Sequence, residues 1–429
     1  MRLAVNTMPR LLAAACAGAV LLAPLPSTAQ QGALGATLEG LLAHARDRHP
    51  EVQAMRHEAD AVAQRVESAG ALPDPMFKVE LMNFTNTGND ASWSLSPANV
   101  GGTKYTLWQP LPFWGKRGLR EEVASAEAAQ ADRKVSLAWN DLAARIKVAY
   151  AQYQLVARNE AFTREQIALL GSIESVAQAR YASGLAPQQD ALRAQVELTG
   201  MRTELLLQDS ERRQLTARLN ALVSRPASAP LALPTGARPL PSPAALDPAA
   251  LAERLQRRNP ALAVDDARIT SAERSRELTR LNRYPDFSIG VAPTQVGSRI
   301  AEWELMFEIS IPLQQAPRRA QEAESDSMLA AARSRRAATA QQAVAELDEQ
   351  LAALEAARRV DEIIGRELLP QASITLQSAI AAYENGRVDF ATLLEAQRQI
   401  RKAQQDREKA GTEARIRLAE VERLVGEDL

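Results

Sequence analysis

Little in this chain can carry out redox, metal or nucleophilic chemistry. Its single cysteine, Cys16, lies in the first apolar segment, so disulfides and thiolate metal sites are excluded for everything downstream. The three histidines, His44, His49 and His57, are five and eight residues apart, a spacing that does not put all three on one helical face. There is no Gly-rich phosphate loop, no Gly-x-Ser-x-Gly elbow and no paired-cysteine motif. The acid pairs Asp265-Asp266 and Glu121-Glu122 sit in stretches dense in arginine and read as solvated helix faces. No catalytic group, cofactor or metal site is therefore expected. Charge of one sign is not in excess either: 51 Lys and Arg against 52 Asp and Glu, mixed along the chain, leave no surface for nucleic acid. Beyond the first segment no apolar run reaches the roughly 18 residues of a membrane-crossing helix, which excludes such a helix but not a transmembrane β-barrel.

The first 29 residues have a basic start with Arg2 and Arg10, an apolar run, and Ser27-Thr28-Ala29 before Gln30. They read as a secretory signal peptide (1–29), with Met8 as an alternative start, and point to the cell envelope. Ala13-Ala14-Ala15-Cys16 loosely resembles a lipid-attachment motif, so lipidation of Cys16 stands beside ordinary cleavage after Ala29.

The rest repeats itself. A stretch at 382–397 has a near copy at 180–195: an offset of 202 aligns Tyr383 with Tyr181, Gly386 with Gly184, Leu394 with Leu192 and Gln397 with Gln195. Asn385-Gly386 tolerates positive φ, so a helix can stop, reverse and restart there. Each copy reads as the tip of a helical hairpin. Between the copies, the segment 225–248 carries seven prolines and reads as an extended strap. On either side of it the same events recur: a helical stretch with an early His49-Pro50 or Asn259-Pro260, a proline-marked break, two short alternating runs, a long helix, a tip turn and a last helix. An internal duplication follows, with repeats at 30–224 and 249–429. The long helices, about 115–181 and 318–383, would each reach about 100 Å at 1.5 Å per residue.

Only 18 residues are aromatic, and 11 of them fall in two windows, 77–114 and 284–307. There the pattern has a period of two: Trp303, Leu305, Phe307, Ile309 and Ile311 alternate with Glu302, Glu304, Met306, Glu308 and Ser310, and Phe77, Val79 and Leu81 alternate with Lys78, Glu80 and Met82. Strand pairs are expected at 76–84 with 103–111 and at 286–293 with 302–312, joined by polar loops at 83–102 and 292–301. They fit either amphipathic hairpins packed on the helices or strands of a transmembrane barrel, apolar outside and polar inside. Four strands cannot close such a barrel without exposing unpaired backbone to lipid, so a barrel would be shared among chains.

Signal, duplicated halves, strand pairs, long helices, strap and paired tips together resemble the TolC-like outer-membrane efflux family over essentially all of the mature chain. The resemblance implies a homotrimer in which four strands per chain complete a twelve-stranded barrel in outer-membrane lipid, continued by an α-helical barrel of coiled-coil-like helices across the periplasm. It implies a passive conduit, not an enzyme, which receives substrate from an inner-membrane pump, of the proton-driven RND type, through a periplasmic adaptor. Residue by residue, Tyr383 takes the place of the family's constriction tyrosine, while Glu395 and Asp190 take acidic positions. Gly184-Leu185 matches the Gly-Leu tip motif. At two positions the chain departs from the family: Thr392 stands where an acid is expected, and Val388 stands at the tip arginine, with Arg387 one place earlier. Asp389 is the nearest substitute for the missing acid. The expected periplasmic gate is thus Tyr383, Asp389, Glu395 and Asp190, the adaptor-docking tips Gly184, Leu185, Gly386 and Arg387, and the barrel lumen Glu80, Glu304 and Glu308. Ala71-Leu72-Pro73-Asp74-Pro75 and Pro112-Phe113-Trp114-Gly115-Lys116-Arg117 look like the family's metal-cation branch, with export of organic compounds as the alternative. A periplasmic coiled-coil scaffold or adaptor is the rival from outside the family.

Overall fold

The structure is a computed structural model that describes residues 34–87 and 92–429. The signal peptide and Cys16 lie outside the described residues. Helices α1 (Leu38–Arg48) and α2 (Pro50–Gly70) lead to strands β1 (Met76–Met82) and β2 (Gly102–Leu111), then to the long α3 (Lys116–Ala182) and to α4 (Gln188–Leu222). The second half repeats this order: α5 (Pro248–Arg258), α6 (Pro260–Leu281), β3 (Asp286–Val296), β4 (Arg299–Ser310), α7 (Gln315–Ile363), α8 (Leu369–Glu384) and α9 (Phe390–Val425). Among the described residues no helix is long and apolar enough to cross a membrane.

Local chemistry explains the breaks. Each half opens on two helices joined at X-Pro, because proline suits the first helical turn and holds the residue before it extended. Asn259 does more than His49 at this joint: its side chain accepts from Leu262 N (3.0 Å) and donates to Leu424 O (2.7 Å), tying α6 to the end of α9. Helix α3 runs 67 residues without interruption, about 100 Å of rise. Its counterpart is not continuous as expected. Pro370 has no N–H to give to Arg366 and its ring crowds that carbonyl, and the helix passes this point through a π turn, Ile364–Leu368, in which Leu369 N reaches back to Ile364 O.

The four strands form one antiparallel sheet in the order β1-β2-β3-β4, so the duplicated hairpins meet along β2 and β3. The strands differ from their expected limits. β3 and β4 run through most of the segment read as a loop at 292–301 and meet at a tight turn over Gly297, whose φ is +62°. A bulge between Thr294 and Gln295 absorbs the change of register. β1 stops at Met82, because Asn83 takes a left-handed φ of +49°.

Buried side chains lie in separate clusters strung along the helices. One gathers Leu41, Ile146, Tyr153 and Leu219 from α1, α3 and α4; another gathers Leu251, Leu347 and Val421 from α5, α7 and α9. A third, at the end far from the sheet, draws Leu170, Met201, Leu376, Tyr383, Phe390 and Leu393 from α3, α4, α8 and α9. The strap is pinned between halves by Arg238, which pairs with the buried Glu422 (2.8 Å). Glu422 also holds Lys147 of α3 (2.6 Å).

Candidate functional site: the hairpin tips and the polar face of the sheet

The tips share one backbone solution. Gly184 N donates to Tyr181 O (2.9 Å) and Leu185 N to Arg180 O (2.8 Å); 202 residues later Gly386 N donates to Tyr383 O (3.0 Å) and Arg387 N to Ala382 O (2.8 Å). These are paired Schellman turns, and each needs its glycine, with φ of +71° and +70°. Gly184, Leu185, Gly386 and Arg387 are all exposed at the extremity.

The side chains are not duplicated. Tyr383 is 3% exposed, edge-on to Phe390 at 5.5 Å, with the Arg180 guanidinium 5.2 Å above its ring. Its hydroxyl donates across the hairpins to Asp190 Oδ2 over a long 3.4 Å. Arg180 also donates from Nη1 to Glu384 O (2.7 Å), binding the end of α3 to the end of α8. Burial pushes the Asp190 carboxyl above its ordinary range, and the Tyr383 hydrogen bond only partly opposes this. The same burial, with the Asp190 charge beside it, raises the Tyr383 phenol.

Of the four expected gate residues, the structure brings together Tyr383 and Asp190. Asp389 acts locally. It caps α9, accepting from Thr392 N (2.9 Å) and Thr392 Oγ1 (2.6 Å), and these bonds hold its carboxyl below the usual range. Thr392 is thus the partner of the nearby acid. Glu395 is exposed and accepts from Gln399 one turn on, away from the pair.

Several tip residues carry no sign of their role in the sequence. Arg180 is one. Gln397, fully buried, donates to Gln166 Oε1 (3.0 Å) and forms a polar layer in the tip core. Glu197 and Glu204 of α4 meet Arg398 (2.6 Å) and Arg401 (2.8 Å) of α9. The spacing of these charges within each helix gives no hint of the pairing. Only their offsets of 201 and 197 residues, both close to that of the repeat, point to it.

At the other end, register sorts the sheet into two faces. The pairs Phe77↔Leu107, Leu107↔Val291 and Val291↔Leu305 put the odd-numbered residues of β1, β2, β3 and of β4 from Trp303 onward on one face; before that the bulge reverses the parity of β4, where Ile300 pairs with Gln295 and Arg299 with Val296. That face is apolar and open: Phe77, Leu107, Ile289, Trp303, Leu305 and Phe307 are all exposed. The even-numbered face carries Lys78, Glu80, Lys104, Glu302, Glu304 and Glu308 and, on the near side of the bulge, Arg299, so the three expected lumen glutamates share one side. Lys104, absent from the expected set, binds Glu304 (2.6 Å), and Lys78 binds Glu80. Glu302 and Glu308 form no ion pair among the described residues. Gly290 belongs to this face because a Cβ there would sit 2.7 Å from Trp108 Cβ. Among the described residues no group of His, Cys, Asp and Glu is arranged to hold a metal ion.

The fold, though not the roles of these side chains, recurs in known proteins. The chain matches the family model described as outer membrane efflux protein over residues 41–225 and 251–427, one match in each half. Comparison with curated protein sequences finds no match. Among solved structures the chain is similar to CusC at 16% identity, with a TM-score of 0.76 over 91% of this chain and 92% of that one. It is similar to VceC from Vibrio cholerae at 16% identity, with a TM-score of 0.75 over 91% and 96%. It is also similar to the open state of the MtrE outer membrane channel from Neisseria gonorrhoeae, at 15% identity and a TM-score of 0.72 over 91% and 89%. At such identities these structures speak for the fold.

Proposed function

This chain belongs to the outer membrane efflux protein family, and on that premise we propose that it is the outer-membrane conduit of a tripartite system exporting metal cations. The family accounts for the coarser part: an outer-membrane efflux channel with a periplasmic tunnel, without enzymatic activity, working with an adaptor and an inner-membrane pump. The finer part is our reading. Three copies join their sheets edge to edge through β1 and β4, because an open sheet in lipid leaves unpaired N–H and C=O groups along both edges. The odd-numbered face then meets lipid and the even-numbered face lines the lumen.

The observation that carries the cation assignment is the charge of that inner face. Its two lysines pair with Glu80 and Glu304, and of the charges that remain Glu302 and Glu308 outweigh Arg299, which leaves one net negative charge per chain, repeated three times around a closed barrel. Rings of carboxylates favour cations over anions at such a constriction. At the far end, the exposed Gly184-Leu185 and Gly386-Arg387 turns are the adaptor-docking surface, for an adaptor that serves a proton-driven pump of the RND type. Tyr383 and Asp190 close the tunnel, with Asp389 and Glu395 as further acids of the second tip. Substrate passes when the tips separate, and the energy is spent at the pump. Reversal potentials in planar bilayers under a salt gradient test the assignment. Cation preference that falls in Glu302→Gln/Glu308→Gln is expected; anion preference in the unmodified protein overturns it. Transport assays with metal cations against organic cations decide between the two cargo classes.

A further inference from the structure

Where the sheet meets the helices, a cleft of about 420 Å³ opens on the apolar side of the molecule. Its walls are aromatic and come from three separate parts of the chain. Phe287 and Phe307 are odd-numbered residues of β3 and β4, 6.0 Å apart between ring centroids. Trp114, from the β2–α3 connection, leans on Phe287 at 5.6 Å, yet remains 76% exposed. Leu72, ahead of β1, closes the far side, and Arg117 lies at the helical edge.

The cations here are not equivalent. Lys116 is buried and committed, donating to Asp286 Oδ1 (2.8 Å) and Tyr284 O (3.0 Å). Arg117 donates from Nε to Gly70 O (2.9 Å), and its two Nη groups make no hydrogen bond among the described residues. The cleft thus offers an apolar, aromatic slot continuous with the lipid-facing side of the sheet and a guanidinium fork where that side ends. An acyl chain fits the slot, and a phosphate suits the fork, since Arg–phosphate bonds are charge-assisted and bidentate. Tryptophan favours the same level, with its ring in hydrocarbon and its N–H among headgroups.

We infer that this cleft binds one anionic glycerophospholipid per chain, drawn from the bilayer, with an acyl chain between Trp114, Phe287 and Phe307 and its phosphate on Arg117. The inference rests on the barrel reading above. Its occupant would seal the joint between barrel and tunnel, where the sheet gives way to the helices.

The test is native mass spectrometry of the detergent-extracted protein after incubation with phosphatidylglycerol or phosphatidylcholine. Phosphatidylglycerol is expected to be retained at up to one molecule per chain, and phosphatidylcholine several-fold less. Trp114→Ala should lower retention of both lipids, and Arg117→Ala should abolish the preference between them. Arg117→Lys keeps a cation but loses the fork, and should fall between. Trp114→Ala removes an exposed side chain and does not threaten folding, so the test survives if Arg117→Ala fails to fold. Equal retention of both lipids, or retention unchanged by Trp114→Ala, overturns the inference. Membrane fractionation run in parallel separates the two readings: a soluble chain overturns the barrel itself, whereas a membrane-inserted chain without lipid preference overturns only the cleft.

Discussion

The two hairpin tips are copies in backbone and opposites in side chains. Tyr181 and Tyr383 occupy the same place in the same Schellman turn, yet Tyr181 is 47% exposed and Tyr383 is 3% exposed. The difference lies one turn away. Phe390 gives Tyr383 a ring to rest on, and its counterpart 202 residues earlier is the exposed Gln188. The first tip supplies what the second lacks: Arg180 faces Ala382 in the alignment, and Asp190 faces Thr392. Duplication thus gave two equivalent turns, and divergence made one the donor of charge and the other the holder of the aromatic. A symmetric pair of tips would have left two tyrosines competing for no carboxylate.

Substitutions can break this comparison in order of size. Tyr383→Ala removes a buried ring from the tip core and should cost about 3 kcal/mol of local stability, as large core truncations do. Tyr181→Ala should stay within about 0.5 kcal/mol, as exposed substitutions do. Amide hydrogen exchange in α8 and the start of α9 reads both. Arg180→Ala loses a hydrogen bond to Glu384 O and a cation–π contact, together about 1–2 kcal/mol. Exchange should then rise in both tips, since this residue joins them; a rise confined to the first tip would contradict its bridging role. Asp389→Ala should fray only the first turn of α9, at about 1 kcal/mol. Its counterpart Pro187 makes no side-chain cap, so Pro187→Ala should leave α4 unchanged.

Acidity sharpens the same contrast. The folded carboxyl of Asp190 titrates above its unfolded value, so the tip gains stability as pH falls through that raised value and loses it as pH rises again. Asp389 has the opposite sign: its cap contributes above the unfolded value and is lost only as pH falls through its depressed one. Acidification through the raised Asp190 value should therefore reduce channel opening. Asp190→Asn should abolish that response by mimicking the protonated state.

How much of this was legible in the sequence depends on the range of the interaction. Turns at Gly184 and Gly386 were readable, because positive φ and helix reversal are local properties of a few residues. The two-faced strands were readable as well, because a period of two is written in consecutive positions. The register that gathers Phe77, Leu107, Val291 and Leu305 on one face was implied by that alternation and needed only the pairing. The length of α3 was readable from the absence of proline. Pro370 marked its counterpart, but no local rule says whether such a proline ends, kinks or reroutes a helix, and here a π turn reroutes it. Arg180 over Tyr383, Gln166 with Gln397 and Lys104 with Glu304 were not readable. Each joins residues 200 or more apart, and the period of a helix or strand says which face a residue is on without naming the partner across it. The extent of β3 and β4 was missed because Thr294, Gln295 and Gly297 look like loop residues, whereas a bulge and a tight turn carry them inside the hairpin.

The tunnel is proposed to close at the second tip's tyrosine and not at its twin. Single-channel conductance in planar bilayers measures this directly, comparing the unmodified protein with Tyr383→Ala and Tyr181→Ala. A several-fold rise in conductance or open time for Tyr383→Ala, with Tyr181→Ala indistinguishable from the unmodified protein, is the expected result. Equal effects of the two substitutions, or no effect of Tyr383→Ala, would contradict it.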